Sequence, residues 1–471
     1  MGRAAQALVA GVAAGMLVQA AVAAAPPPRP EDVFQRSYFF DQQTRERLEA
    51  AAPAKQTALL EWGGAYVPSY TVFDNSVDST SHVSVQDLRL WVQMRLDEVH
   101  RIYARGLLRY TDWAPGDALG FREHDLQGMN LEVGYYELDI SGAARKYARQ
   151  SWPFRATFRG GRQYIEVGRG IALAKYLDAG RLDIETKDLA VTLFGGRSIE
   201  SEDNIDRSAP GYTRSRRDFY GTQIAYRGIP NHEPYAYLVW QRDRSEEKPE
   251  DPFQDYRYDG RYAGLGCRGS LGPRTMYVVE GLWEFGDSAA NLQARNSERI
   301  EAYAFDGQID HYTDWPGKPQ FSLEYAYASG DKDRASATTA VLGNTIGTAD
   351  RQFQGFGYVN SGLALGARFS NIQFVRVGAR FTPYENKAGA GRLDLGFNYY
   401  ALWKAEHRGP ISDPLAVNDG WTIGHEVDVF AEWRILSDLS WSVHYGRLFP
   451  GAAYENTDDR NFFFTALTFS F

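Results

Sequence analysis

The last eleven residues, Asn461 to Phe471 (NFFFTALTFSF), place Phe463, Thr465, Leu467, Phe469 and Phe471 at every second position. A strand with one face in lipid and the other toward a polar lumen needs that period of two, and only a closed sheet hides its edge groups inside a membrane. A soluble β-protein can also end on an alternating strand. The rest of the chain decides between them.

From Thr57 onward, segments that alternate apolar and polar residues are separated by gaps that are alternately short and long. The segments expected as strands are 57–70, 84–96, 99–112, 128–140, 152–169, 180–186, 189–197, 219–228 and 235–244. The second half continues with 259–268, 274–285, 298–311, 320–329, 372–382, 392–404, 421–435, 439–449 and 461–471. About 18 strands is the even number that single-chain bacterial barrels require. Short connections fall at 97–98, 187–188, 228–231, 269–273, 314–319 and 436–438. Long ones fall at 71–83, 113–127, 170–179, 198–218, 245–258, 286–297, 330–371, 405–420 and 450–460. Short turns belong on the periplasmic side and long loops outside, with both termini periplasmic. The expected fold class is an all-β transmembrane antiparallel barrel.

Composition agrees with this reading. Aromatic residues make up 14% of a chain whose mean hydropathy is −0.45. Beyond the first 25 residues no apolar run approaches the ~20 residues of a spanning helix, which excludes a helical membrane protein. Cys267, the only cysteine, allows neither an internal disulfide nor a cysteine metal cluster. At the amino terminus Arg3 precedes the uncharged, alanine-rich run Ala4 to Ala25 with the small-x-small site Ala21-Val22-Ala23. This is expected to be a secretory signal over residues 1–23, cleaved after Ala23. An anchor helix is the alternative, and the run's scarcity of bulky apolar residues speaks against it. Residues 24–56 read as a periplasmic lead-in, and 57–471 as the barrel. A carboxy-terminal aromatic on an amphipathic strand also resembles the signal read by bacterial barrel-assembly machinery.

Several segments separate into lipid and lumen faces. In 421–435, Trp421, Ile423, Val427, Val429, Ala431 and Trp433 oppose Thr422, Glu426, Asp428, Glu432 and Arg434. In 392–404, Leu393, Leu395, Phe397, Tyr399 and Trp403 oppose Arg392, Asp394, Asn398 and Lys404. Leu88, Leu90 and Val92 oppose Asp87, Arg89, Gln93 and Arg95. Strand 152–169 changes parity between Phe158 and Ile165, and a bulge at Gly160-Gly161 is expected to absorb the slip, turning Arg155, Arg159, Arg162 and Glu166 inward. Arg376 and Arg380 fall inward against Val375, Val377, Ala379 and Phe381. The candidate pore-lining residues are therefore Arg89, Arg95, Arg155, Arg159, Arg162, Arg376, Arg380, Arg392, Arg434, Asp394 and Glu426. Each arginine can alternatively be structural, paired with a wall carboxylate, but the group sets the field of a pore either way.

Three stretches carry a family resemblance. They are Gly161-Arg162-Gln163 with Gly168-Arg169-Gly170; Asn371 to Pro383 (NIQFVRVGARFTP); and Gly424-His425-Glu426-Val427-Asp428 with Gly446 to Gly451 (GRLFPG). In order and content they resemble the alginate-export outer-membrane porins. The resemblance implies an 18-stranded barrel in the bacterial outer membrane, an arginine-rich lumen gated by loops, and passage of an anionic uronate polymer. Arg162, Arg376 and Arg380 fall on matching motif positions. The implied partners are the anionic polysaccharide, outer-membrane lipid and periplasmic polymer-export proteins; nucleic acid and cofactors are not expected.

Other classes fit less well. No G-x-S-x-G or H-E-x-x-H occurs, and the eight histidines show no ligand spacing. His444, inward between Ser442 and Gly446, is the one histidine placed to join a hydrolase site in a barrel wall. Asp331-Lys332-Asp333 lacks the rest of a calcium-loop pattern and reads as a solvated turn. About 33 residues of lead-in are too few for a folded plug domain. The leading function is a porin for an anionic saccharide; a general anion or small-nutrient porin is the alternative, and a closed structural barrel or adhesin the third.

Overall fold

The computed structural model describes residues 58–76, 80–117, 123–199, 216–244, 257–290, 296–338, 343–386 and 391–471. The expected signal and lead-in lie outside these residues, as does most of each long connection expected at 198–218 and 245–258. Eighteen antiparallel strands form one closed sheet. In chain order they are β1 (Ala58–Asp74), β2 (Ser81–Leu96), β3 (His100–Trp113), β4 (His124–Asp139), β5 (Arg155–Val167) and β6 (Leu173–Glu185). They continue with β7 (Leu189–Ser198), β8 (Arg217–Tyr226), β9 (His232–Asp243), β10 (Tyr258–Ser270), β11 (Thr275–Ala290) and β12 (Asn296–Tyr312). The last six are β13 (Gln320–Ala328), β14 (Ile372–Glu385), β15 (Arg392–Lys404), β16 (Thr422–Arg434), β17 (Leu439–Pro450) and β18 (Arg460–Ser470).

Every neighbouring pair in sequence is hydrogen-bonded, and β18 closes on β1 from Ala65↔Ser470 to Asp74↔Asn461. The seam extends past the last strand. Phe471 and Gly64 exchange both backbone hydrogen bonds, at 2.9 and 3.0 Å. Alternation holds on the outer face, where Leu90, Val92, Leu238, Trp283, Leu323, Val377, Phe397, Val427, Val429 and Phe469 are all exposed. Short turns gather at one end and long loops at the other, so the turn side is periplasmic. On the turn side one connection carries the helix α1 (Ile140–Tyr147), which the alternation does not signal. Asp139 caps it by accepting from the Gly142 amide at 2.8 Å. Its far end reaches the β2–β3 turn, where Lys146 donates to the Asp97 carbonyl at 2.7 Å and Tyr147 to the Asp97 carboxylate at 3.0 Å. The Tyr147 hydroxyl, then the Lys146 charge, hold the Asp97 carboxyl below its usual range.

Three expectations are corrected. The long loop expected at 170–179 is largely strand, because β6 starts at Leu173 and the connection is only 168–172. No slip occurs at Gly160-Gly161: β5 pairs with β6 without a register shift from Arg155↔Glu185 to Val167↔Leu173. Gly161 serves a different purpose, a close approach at φ 129° where a Cβ would lie 2.3 Å from the Gly134 carbonyl oxygen. Finally, Ile423 is buried inside instead of facing lipid, because the register shifts between Leu402 and Trp403 opposite Gly424.

A further architectural feature lies inside the barrel. β4 pairs with β5 only over Gly134–Asp139, and β6 pairs with β7 only from Leu177 onward. Within the barrel sheet, residues 163–167 and 173–176 therefore pair only with each other, and this end of the β5–β6 hairpin leaves the wall and enters the lumen. The long segment 329–371 does the same: Phe356 exchanges hydrogen bonds with Ala172 and Ala174 of the hairpin, at 3.0 and 3.2 Å. Ile165, Val167, Leu173 and Leu177 pack with Phe353, Phe356, Leu365 and Phe369 and with wall residues including Tyr262, Phe374 and Tyr400. The loop-side half of the barrel is thus filled by an apolar core, and open space remains on the turn side.

Candidate functional site

Carboxylates on the inner wall hold the two inserted segments. On β16, Glu426 is fully buried and accepts from the backbone amides of Ala364 and Leu365 at 2.6 and 2.9 Å; Asp428 accepts from Leu363 at 3.3 Å. On β11, Glu284 accepts from the Gln354 amide at 2.8 Å. The hairpin tip is held from β11 to β13. Glu280 accepts from the Arg169 amide at 2.8 Å and from the hydroxyls of Tyr235 and Tyr237 at 2.7 and 2.8 Å. The Arg169 guanidinium lies 2.8 Å from Asp306 and 3.5 Å from Glu324. Gly168, at φ 60°, passes so close to Glu280 that a Cβ would sit 2.1 Å from its carboxylate. Of these carboxylates, sequence reasoning placed Glu426 and Asp428 inward but missed Glu280, Glu284, Asp306 and Glu324. For Glu280 and Glu284 the signal that could have found them is their even spacing on β11, opposite the parity of Val279, Trp283 and Phe285.

The candidate arginines are distributed along this wall. Arg376 pairs with Glu324 at 2.5 Å. Arg380 bridges Asp394 and Glu432 at 2.9 and 2.8 Å, and Arg392 lies 3.0 Å from Asp394. Across the lumen, Arg89 contacts Asp87 and Glu132 at 3.2 and 3.4 Å, and Arg159 pairs with Glu137 at 2.5 Å. Arg95, Arg155 and Arg434 lie near the turn-side ends of their strands, and among the described residues none of the three has a carboxylate partner. Arg162 is corrected: with β5 in unbroken register it shares the face of Phe158, opposite Arg155 and Arg159, and donates to Asp178 at 2.8 Å and to the Leu131 carbonyl at 2.7 Å. Glu166 falls on that same face.

Among the described residues, cavities of about 490 and 340 Å³ lie at the turn side, and both include Arg159 in their walls. The larger is lined also by Arg95, Arg101 and Arg105; the smaller by Arg155, Arg181, Arg227 and Arg268 with Glu137, Asp183, Glu185 and Glu233. Arginines and carboxylates thus line this turn-side space together, with Glu61 also in the wall of the larger cavity. His444 is inward and buried between the rings of Phe430 and Phe464, with centroids at 5.9 and 6.1 Å. Asp331 accepts from the backbone amides of Asp333 and Arg351, both at 2.8 Å, and so builds a turn. Among the described residues no cluster of histidine, cysteine or carboxylate side chains has metal-holding geometry.

Solved structures of similar fold include three proteins of Pseudomonas aeruginosa. OccK8 (OprE) is 10% identical with a TM-score of 0.54, covering 88% of this chain and 98% of its own. OccK7 (OpdD) is 12% identical at TM-score 0.52, covering 88% and 98%. OccK11 (OpdR) is 13% identical at 0.51, covering 88% and 96%. At these identities the likeness is one of fold. No curated protein matches the sequence. The model of the Alginate export family, in contrast, matches residues 85–465, from the second strand into the last. With a closed eighteen-stranded barrel beneath that match, the chain belongs to the Alginate export family and is a porin of the bacterial outer membrane.

Proposed function

We propose that this porin passes an anionic saccharide, with a uronate polymer of the alginate type as its leading cargo. The observation that carries the reading is the guanidinium-lined vestibule on the turn side, with Arg95 and Arg155 free of carboxylate partners among the described residues. A carboxylate 4 Å from a guanidinium gains ~1 kcal/mol at the dielectric of water and ~4 kcal/mol at an effective value near 20, before desolvation. Contacts in a wet vestibule lie toward the lower figure. Several in series recruit a polyanion while letting each sugar move on, as conduction requires. The wall carboxylates beside the arginines limit retention. A periplasmic vestibule of this charge suits export, with polymer-export proteins delivering cargo to the turn side.

A second reading, diffusion of small anions, is favoured by the amount of chain packed into the loop-side half of the lumen. Planar-bilayer recording separates the two. The first reading expects anion selectivity and stronger block by uronate oligomers than by neutral oligosaccharides of equal length. Cation selectivity overturns both readings; anion selectivity with equal block leaves only the second.

A further inference from the structure

The larger turn-side cavity has a wall that charge alone does not explain. Trp91, Tyr103 and Tyr135 come from the neighbouring strands β2, β3 and β4 and form a stacked aromatic row. Successive ring centroids are 6.3 and 5.6 Å apart, with interplanar angles of 23° and 30°. Arg101 lies 5.8 Å from the centroids of both tyrosines, Arg159 lies 4.4 Å from that of Tyr135, and Arg95 completes the wall. Two acids nearby are already engaged: Glu61 accepts from Gln93 at 2.7 Å, and Glu137 from Arg159.

Gln163, the last residue of the Gly161-Arg162-Gln163 motif, also lines this cavity and is 1% exposed. Its amide nitrogen donates to the Ala179 carbonyl at 2.9 Å, with the Arg159 and Gly161 carbonyls at 3.3 and 3.4 Å. Those three acceptors fix which way the amide points. The side-chain oxygen is then left without a partner among the described residues. A buried acceptor in that position calls for a donor from a ligand or water.

We infer that this cavity is a subsite for the pyranose rings of a sugar acid. The inference rests on the proposed anionic-saccharide cargo and adds how the ring, as distinct from the charge, is recognised. The partly exposed rings of Trp91 and Tyr103 in this row offer an apolar surface to the C–H face of a pyranose. Arg95 and Arg101 stand at its edge for the ring carboxylate, and the Gln163 oxygen accepts from a sugar hydroxyl. A volume of about 490 Å³ lies in the range of small-ligand pockets and holds a short stretch of chain.

The test compares current block by uronate oligomers with block by an oligoglutamate of equal charge, which has carboxylates but no pyranose. Trp91→Leu with Tyr103→Leu is expected to weaken uronate block about tenfold while leaving oligoglutamate block and anion selectivity in place. Gln163→Leu is expected to weaken uronate block selectively and to a smaller extent. Heat-modifiable migration confirms that each barrel has assembled. Unchanged uronate block in the double variant overturns the subsite but leaves the anionic-cargo reading standing. Equal loss for both polymers also overturns it, since the rings would then only brace the arginines. A parent protein blocked no better by uronates than by neutral sugars removes the cargo reading itself.

Discussion

Glu426→Ala should loosen the inserted segment 329–371 without disturbing the barrel. The Glu426 carboxylate is fully buried and accepts from the Ala364 and Leu365 amides, and the chain at Gly362 runs so close that a Cβ there would meet the carboxyl group at 2.5 Å. A hydrogen bond to a charged acceptor is worth about 1.5–3 kcal/mol, so removing both contacts costs about 3–6 kcal/mol locally. At ~1.4 kcal/mol per factor of ten, even the lower figure raises the detached population about a hundredfold. The backbone pairs Tyr400↔Glu426 and Glu426↔Leu448 do not depend on this side chain, so assembly should be normal. Single-channel recording should show larger or more frequent openings, and limited proteolysis should cut within 361–367. Glu426→Gln, which keeps an acceptor oxygen but loses the charge, should lie between. Unchanged conductance and unchanged proteolysis in Glu426→Ala would refute the reasoning, because the segment would then be held by its apolar packing alone.

Four further outcomes are expected. Val429→Arg, on the exposed outer face near mid-strand, should cost about 2–4 kcal/mol and lower the yield of heat-modifiable protein, whereas Glu432→Gln on the inner face should assemble normally. Arg95→Glu with Arg155→Glu should reduce anion selectivity, most visibly at low salt where the Debye length grows from ~10 Å at 0.1 M to ~30 Å at 0.01 M, while Arg162→Glu should leave it nearly unchanged. Deleting Phe471 removes both seam hydrogen bonds to Gly64 and should reduce assembled protein without reducing synthesis, as read by heat modifiability against total protein. Amino-terminal sequencing of membrane-extracted protein should begin near Ala24; a start at Met1 would favour the anchor-helix alternative.

Local alternation was enough to place all eighteen strands, including 392–404 to the residue, because a period of two is written in neighbouring side chains and needs no knowledge of distant chain. The same pattern assigned the faces of Leu88 to Arg95 and of Glu426 to Trp433, where apolar residues meet lipid and charges meet the lumen. It failed at Ile165, Val167 and Ile423 for one physical reason: an apolar side chain is stabilised equally by lipid and by a packed protein core, so hydrophobicity alone cannot say which it faces. Family resemblance carried the fold and the porin class across the gap. Pairing decided the rest. Arg169 reaches Asp306 and Glu324, and Ala364 reaches Glu426, only because closure of the barrel brings residues far apart in sequence to the same few ångströms. Which arginines remain available to a passing anion, and which segments fill the lumen above them, are properties of that closed tertiary arrangement.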